Sequence, residues 1–292
     1  MSSVAARTGG APISWGVSEA PEWGVELPAD RVLGEMRELG LTATELGPTG
    51  YLGPGPAEVR ARLDRHGLRL IGGFLPVPMH VCTDADFAEA RAAMRTLAEA
   101  GSEVVVLAAR SADGSYDRKV RLTDEEWPAL LATLRRLQDL AAELGLRPSL
   151  HPHVGTAIED RASVHRLAES SDVPLCLDTG HLLIGGTDPL ELVKQDPHRI
   201  AHVHLKDVRR RVATTVAGGD TSYIEAVRAG LYAPLGDGDL DIGGIVRALE
   251  SAGYQGWYVL EQDAALHAAP EPGTGPIDDV RRSLEHLRSV TP

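Results

Sequence analysis

Residues 103–151 read EVVVLAARSADGSYDRKVRLTDEEWPALLATLRRLQDLAAELGLRPSLH. The segment opens on EVVVLA, a nearly continuous apolar run of the kind that forms a strand buried on both faces. A polar, Gly-containing loop follows. From residue 124 the period changes: Trp127, Leu130, Leu134, Leu137, Ala141 and Leu144 recur at helical spacing, which predicts an amphipathic helix over 124–144. Asp124 stands where a helix start is capped and Gly145 where one is ended. RPSLH, at 147–151, then returns as a second short strand. Strand, helix and strand in this order form the crossover unit of a parallel sheet.

The unit recurs in both directions along the chain. Apolar segments at Ala11–Trp15, Thr42–Leu46 and Leu70–Leu75 precede the quoted stretch, and Pro174–Asp178, Ile200–Leu205 and Trp257–Glu261 follow it. With 103–108 and 147–151 these make eight strands. A second helical stripe, Phe87, Ala90, Met94 and Leu97, lies over 84–100. Eight strands alternating with about eight helices predict an α/β fold, a (β/α)8 TIM barrel spanning 1–292 as one domain. An open doubly wound sheet would usually carry a Gly-rich phosphate loop after its first strand, and no GxGxxG stands there. Residues 209–241 break the rhythm, with GGD and GLYAPLGDGD, and are expected to form a long loop on the catalytic face.

Composition narrows the function classes. The chain has 292 residues, a net charge of −13 and 43% hydrophobic residues, which suits a large core and opposes a general nucleic-acid or membrane-surface binder. Cys82 and Cys176 form no CxxC pair, no apolar run approaches the length of a membrane span, and the N-terminal residues lack a signal-type apolar region. The expectation is a cytoplasmic protein with reduced thiols and a small-molecule substrate.

A barrel of this kind builds its site at the carboxyl ends of the strands. The polar residues there are Glu45, His80, then His151, His153 and Glu159 in HPHVGTAIED, Asp178 and His181 in DTGH, His202, His204, Lys206 and Asp207 in HVHLKD, and Glu261 and Asp263 in EQD. They include six of the 11 histidines. Carboxylates crowded at neighbouring strand ends resist burial unless a positive charge neutralises them. Carboxylate with one or two imidazoles suits Mn²⁺, Mg²⁺, Co²⁺ or Fe²⁺ better than a structural zinc. Plainer roles stand beside these. Asp178 and His181 suit a helix cap, Glu261 and Glu45 a salt bridge, and Cys176 the core. His202 and His204 alternate onto one face, and His204 lies nearer the strand end.

The motifs APISWG, TATELGP, HPHVGT, CLDTGHLLIGGTDP, RIAHVHLKDV, LGDGDLD and GYQGWYVLEQD, over about residues 10–265, resemble the xylose-isomerase-like TIM barrels. Within them, the chain is most similar to the inosose (2-keto-myo-inositol) dehydratases and related sugar isomerases and epimerases. The resemblance implies a divalent metal, Mn²⁺ foremost, with ligands Asp178, His204 and Glu261. The strand-five ligand is open between Glu159 and His151, with Glu159 favoured because a hard cation prefers carboxylate. It further implies a substrate contact from Arg210 and a homo-oligomer, while the site itself points to catalytic roles among His151, His153, His181, Lys206 and Glu45, with His151, His153 and Glu261 as candidate bases for the α-proton and Trp15 as a further substrate contact. The expected reaction is dehydration of a cyclic keto-polyol through a metal-stabilised enediolate, with epimerisation or isomerisation through the same enediolate as the alternative. Lys206 is expected to orient substrate oxygens or to pair with Asp207. Apurinic-site nucleases share the barrel but need a basic face, which the net charge opposes.

Overall fold

The computed structural model describes residues 3–20 and 23–291. Its strands are β1 (Thr8–Gly10), β2 (Ala43–Glu45), β3 (Arg69–Gly72), β4 (Phe74–Val77), β5 (Val104–Ala109), β6 (Arg147–Leu150), β7 (Leu175–Asp178), β8 (Ile200–Leu205), β9 (Asp207–Val208), β10 (Tyr232–Ala233) and β11 (Tyr258–Leu260). The helices are α1 (Ala29–Glu38), α2 (Pro56–His66), α3 (Asp84–Ala100), α4 (Trp127–Glu143), α5 (Arg161–Ser170), α6 (Thr179–Ile184), α7 (Pro189–Gln195), α8 (Arg210–Gly218), α9 (Tyr223–Arg228), α10 (Ile242–Ser251) and α11 (Pro276–Val290).

The main sheet runs β3-β2-β1-β11-β8-β7-β6-β5-β4, and its paired strands are parallel. Its two end segments, β3 and β4, are halves of one chain passage broken at Gly73, so the order returns to itself as an eight-fold (β/α) barrel. A Cβ on Gly73 would press on Leu97 of α3. The expected third strand at 70–75 is thus two segments, one pairing with β2 and the other with β5.

Burial follows the sequence pattern. All six residues of β5 and of β8 are buried, as strands covered on both faces require. On α4, Leu130, Leu134, Leu137 and Leu140 are buried, each worth about 1.5–3 kcal/mol on removal from water. The start of α4 lies later than expected. Thr123 and Glu126 exchange hydrogen bonds one turn ahead, while exposed Asp124 pairs with Arg166 instead of capping. Gly145, with φ +73°, ends the helix as expected.

Two expectations are corrected here. The first strand is Thr8–Gly10, and Pro12–Trp15 forms a 3₁₀ turn with Pro12 at its start. Gly9 and Gly10, outside the expected first strand, belong to it, and the barrel wall needs Gly9 small: a Cβ there would lie 2.6 Å from Ile71 Cδ1. Residues 209–241 hold α8, α9 and β10, which pairs antiparallel with β9. Their apolar side chains form a separate small core around Val208, Val216, Tyr223, Val227 and Leu231.

Candidate active site

Strand register assembles the site. Asp178, the last residue of β7, is the Cα partner of His204 on β8. Leu260 of β11 pairs with Leu205, so Glu261 follows at the same barrel level. His151 follows β6 directly and Glu45 ends β2. Five polar side chains of three types therefore meet over the barrel axis.

Asp178 does two things at once. Its Oδ1 caps α6, accepting the N–H groups of Gly180 and His181 at 2.9 Å each. Its Oδ2 is buried with no hydrogen-bond partner. His204 Nδ1 and Glu261 Oε2 are likewise buried and unpartnered. They approach one another at 2.6 Å, out of line for a hydrogen bond, and Asp178 Oδ2 lies 3.5 Å from His204 Nδ1. Three orphaned atoms converging in this way are costly unless a positive centre sits among them. Asp178, His204 and Glu261 could together hold a metal ion.

The second contacts of these residues favour that use. His204 Nε2 faces Glu45 Oε1 at 3.1 Å, and His202 Nε2 shares the same oxygen at 2.8 Å. A histidine whose far nitrogen donates to a carboxylate is oriented as a metal ligand. His151 Nδ1 donates to the Pro152 carbonyl at 2.8 Å, which leaves Nε2 with its lone pair, 3.3 Å from Asp178 Oδ2. Burial disfavours charge on His204, but Cys176, Glu261 and Glu45 outweigh it and hold the imidazole well above its usual range. The cluster demands a positive charge, which a proton or a metal supplies.

Lys206 is fully buried beside the cluster. Its Nζ lies 2.6 Å from Asp263 Oδ1, 3.1 Å from Glu261 Oε1 and 3.4 Å from Asp178 Oδ2. Burial alone would strip its proton; Asp178, Asp263 and Glu261 reverse that and keep it an ammonium. His181 stacks on His153 at 3.8 Å between ring centroids, and its Nε2 is 3.1 Å from Lys206 Nζ. Burial first, then His151 and Lys206, push His153 down to about 3, so it is neutral. These groups open on a cavity of about 200 Å³ lined by His151, His153, His204, Lys206, Glu261 and Asp263, with Trp23, Phe74 and Tyr116 on its apolar side.

Five expectations fail here. Glu159 does not reach the cluster: its Oε2 accepts the Gly155 N–H at 2.9 Å, and the side chain lines a separate cavity with Lys119 and Ser222. Residues 151–159 fold into a turn closed by His153 N–H to Ile158 O, and Glu159 is carried toward α5, away from the axis. His151 takes the place beside Asp178. Arg210 is exposed on α8 and does not line the cavity. Trp15 is core, donating from Nε1 to Glu35 at 2.8 Å. Lys206 is not paired with Asp207, whose carboxylate accepts the N–H groups of Val208, Gly236, Gly238 and Leu240 and so ties down the 235–241 loop. His80 sits on a 3₁₀ turn outside the cluster.

Sequence reasoning undervalued Asp263, although its two-residue spacing from Glu261 was a signal. It missed Tyr223 and Tyr232, carried by the 209–241 segment, and Glu19 and Trp23, from the loop after β1. Tyr116 Oη reaches Glu19 at 3.2 Å, Asp117 accepts the Tyr223 N–H at 2.7 Å, and Lys119 Nζ donates to Ala217 O at 2.7 Å. Three separate segments thus meet as a roof over the cavity.

No helix among the described residues is long and apolar enough to cross a membrane. Among proteins of known name, the chain is 36% identical over 298 residues to the inosose dehydratase of Geobacillus thermodenitrificans, covering 97% of each. It is 35% identical to the rhizopine catabolism protein MocC of Rhizobium meliloti, covering 86% of this chain and 80% of that one. Among solved structures, 3-keto-D-glucoside 4-epimerase from E. coli superposes with a TM-score of 0.69 at 18% identity, over 97% of this chain and 99% of that one, a likeness of fold. Residues 33–290 match the family described as xylose isomerase-like TIM barrel. The chain belongs to that family.

Proposed function

We propose that this enzyme is a metal-dependent hydro-lyase that removes water from a cyclic keto-polyol of the 2-keto-myo-inositol type. The observation that carries the reading is the convergence of the orphaned Asp178 Oδ2, His204 Nδ1 and Glu261 Oε2 at the cavity floor. The named inosose dehydratase relative supports the substrate class. So does the lining: Lys206, already ringed by carboxylates, is the sole Lys or Arg among the described residues that line the cavity, which suits an uncharged ring better than a phosphate ester.

Asp178, His204, Glu261 and His151 would hold a divalent cation, Mn²⁺ in this proposal, which would supply Lewis-acid chemistry at the ketone. The chain's own groups divide the rest. With His151 and Glu261 engaged below, His153 is the base left on the wall. Its Nδ1 donates to the Val154 carbonyl at 2.7 Å, so its neutral Nε2 is available to take the α-proton and then to hand it to the departing β-hydroxyl, which leaves as water. Lys206, held as an ammonium, supports negative charge on an oxygen above the floor. Glu45 fixes the His204 ring, and His181 backs His153. Trp23 and Phe74 exclude water beside the ring.

The test is NMR of a keto-inositol incubated with Mn²⁺-loaded enzyme in D₂O. An alkene-conjugated ketone formed with loss of water is the expected product. Deuterium incorporation with every hydroxyl retained would replace dehydration by epimerisation or isomerisation at the same site. No exchange at all would sink both.

A further inference from the structure

The chemistry above leaves three buried polar groups unused: Asp263, Tyr223 and Tyr232. Their hydrogens can be counted. Tyr223 Oη lies 2.5 Å from Asp263 Oδ2 and 3.0 Å from Tyr232 Oη. A phenol has one proton, and a carboxylate can only accept, so Tyr223 donates to Asp263 and Tyr232 donates to Tyr223. Burial and the Asp263 charge hold both phenols well above their usual range, as neutral donors. The other Asp263 oxygen, Oδ1, is the one 2.6 Å from Lys206 Nζ. The Tyr232 ring lies 5.2 Å beneath the same ammonium.

Asp263 is thus held at one oxygen and used at the other. Without the Tyr223 proton, Oδ2 would be a buried carboxylate oxygen lacking its donor, and the carboxylate would be free to turn away from Lys206. Tyr223 is itself fixed from above, since its backbone N–H donates to Asp117.

We propose that Tyr223 is a positioning residue: through Asp263 it fixes the Lys206 ammonium over the metal-binding cluster, with Tyr232 as its own donor. The proposal rests on the reading of this cavity as the reaction site. It makes the 209–241 segment, which supplies both tyrosines, part of the machinery and not only its cover.

The experiment has two arms on the full chain. The first needs no turnover. The chain has three lysines, of which Lys119 and Lys194 are exposed and Lys206 is buried. With ¹⁵Nζ-lysine labelling, the ammonium protons of the exposed pair exchange fast, and Lys206 gives the protected signal. In Tyr223→Phe that signal is expected to shift and to exchange at least about 10-fold faster. The second arm is steady-state kinetics with Mn²⁺ and the keto-inositol. Tyr223→Phe is expected to lower kcat about 10- to 100-fold with KM within about 3-fold. Asp263→Asn is expected to do the same, and the double variant to fall no more than about 2-fold below the worse single one. Tyr232→Phe, a milder change, should move both readouts in the same direction by less. An unmoved Lys206 signal, or a Tyr223→Phe loss that multiplies fully with that of Asp263→Asn, overturns the proposal. A wild type that holds the protected signal but does not turn over the ketone overturns the assigned reaction and leaves the positioning standing.

Discussion

Asp178 divides its two oxygens between a helix cap and the proposed cation cluster, and two substitutions separate those duties. Asp178→Asn keeps an oxygen for the Gly180 and His181 N–H groups but removes the charge. Mn²⁺ content measured after gel filtration is expected to fall below one-tenth of wild type, with little loss of metal-free stability. Asp178→Ala loses the cap as well, and should cost a further roughly 1 kcal/mol in denaturant melts done in EDTA. Full metal retention in the Asn variant would remove Asp178 from the ligand set. Glu159→Gln is the opposite case. Its oxygen can still accept from Gly155, and it stands outside the cluster, so metal content and turnover should stay near wild type. His151→Ala should lose both. His153 yields a pH prediction. Its folded value is pushed from 6.5 to about 3, so the unfolded chain takes up a proton that the folded one refuses. Stability that it contributes is complete above about 6.5 and is lost as pH falls toward 3. Relative to His153→Gln, the wild type should lose about 1 kcal/mol per pH unit between 6 and 4 in urea titrations. Parallel curves would show that His153 titrates normally.

At the level of elements, β1 is the least ordinary part of the barrel. Gly9→Ala would set a methyl 2.6 Å from Ile71 Cδ1 and 3.3 Å from the Ala43 carbonyl, and is expected to cost about 1–3 kcal/mol in urea denaturation. A cost under half a kcal/mol would mean that the wall yields there. The same strand shows where sequence reading stops. Runs such as VVVLAA and IAHVHL declare themselves, because burial on both faces permits only apolar residues plus those the site needs. TGG carries no such mark: the closeness of Ile71 and Ala43 that demands glycine exists only after the barrel has closed. The neighbouring APISW looks like a strand, but Pro12 starts a turn. Site residues divide the same way. Asp178 ends one apolar run, His204 sits one residue before the end of another and Glu261 directly follows a third, so each could be read from its own run. Glu159 lay within reach along the chain, yet the 151–159 turn sends it outward, and sequence distance holds no record of that turn. Tyr223 and Tyr232 belong to a segment whose register against the barrel is set by its own small core, which no periodicity announces.

Across the whole molecule, cation binding should be visible as stability. The cluster gathers Asp178, Glu261 and His204 without hydrogen bonds for three of their buried atoms, so a bound cation relieves a strain the folded chain carries and the unfolded chain does not. Free Mn²⁺ at 100 times its dissociation constant should add about 2.7 kcal/mol, read as a rise of several degrees in Tm. Asp178→Asn should abolish the rise. The position of the cluster has a kinetic consequence as well. His204 lines the cavity floor at 2% exposure and Asp178 is buried beneath it at 0%, while the roof above them is made by three segments joined through Tyr116, Asp117 and Lys119. A ring seated under that roof stands between the floor and bulk water. In the proposed reaction, binding is expected to be ordered, cation first and polyol second, with release in reverse. Saturating polyol should trap the ion, slowing its transfer to a chelator in stopped-flow mixing, whereas random order would leave that rate untouched.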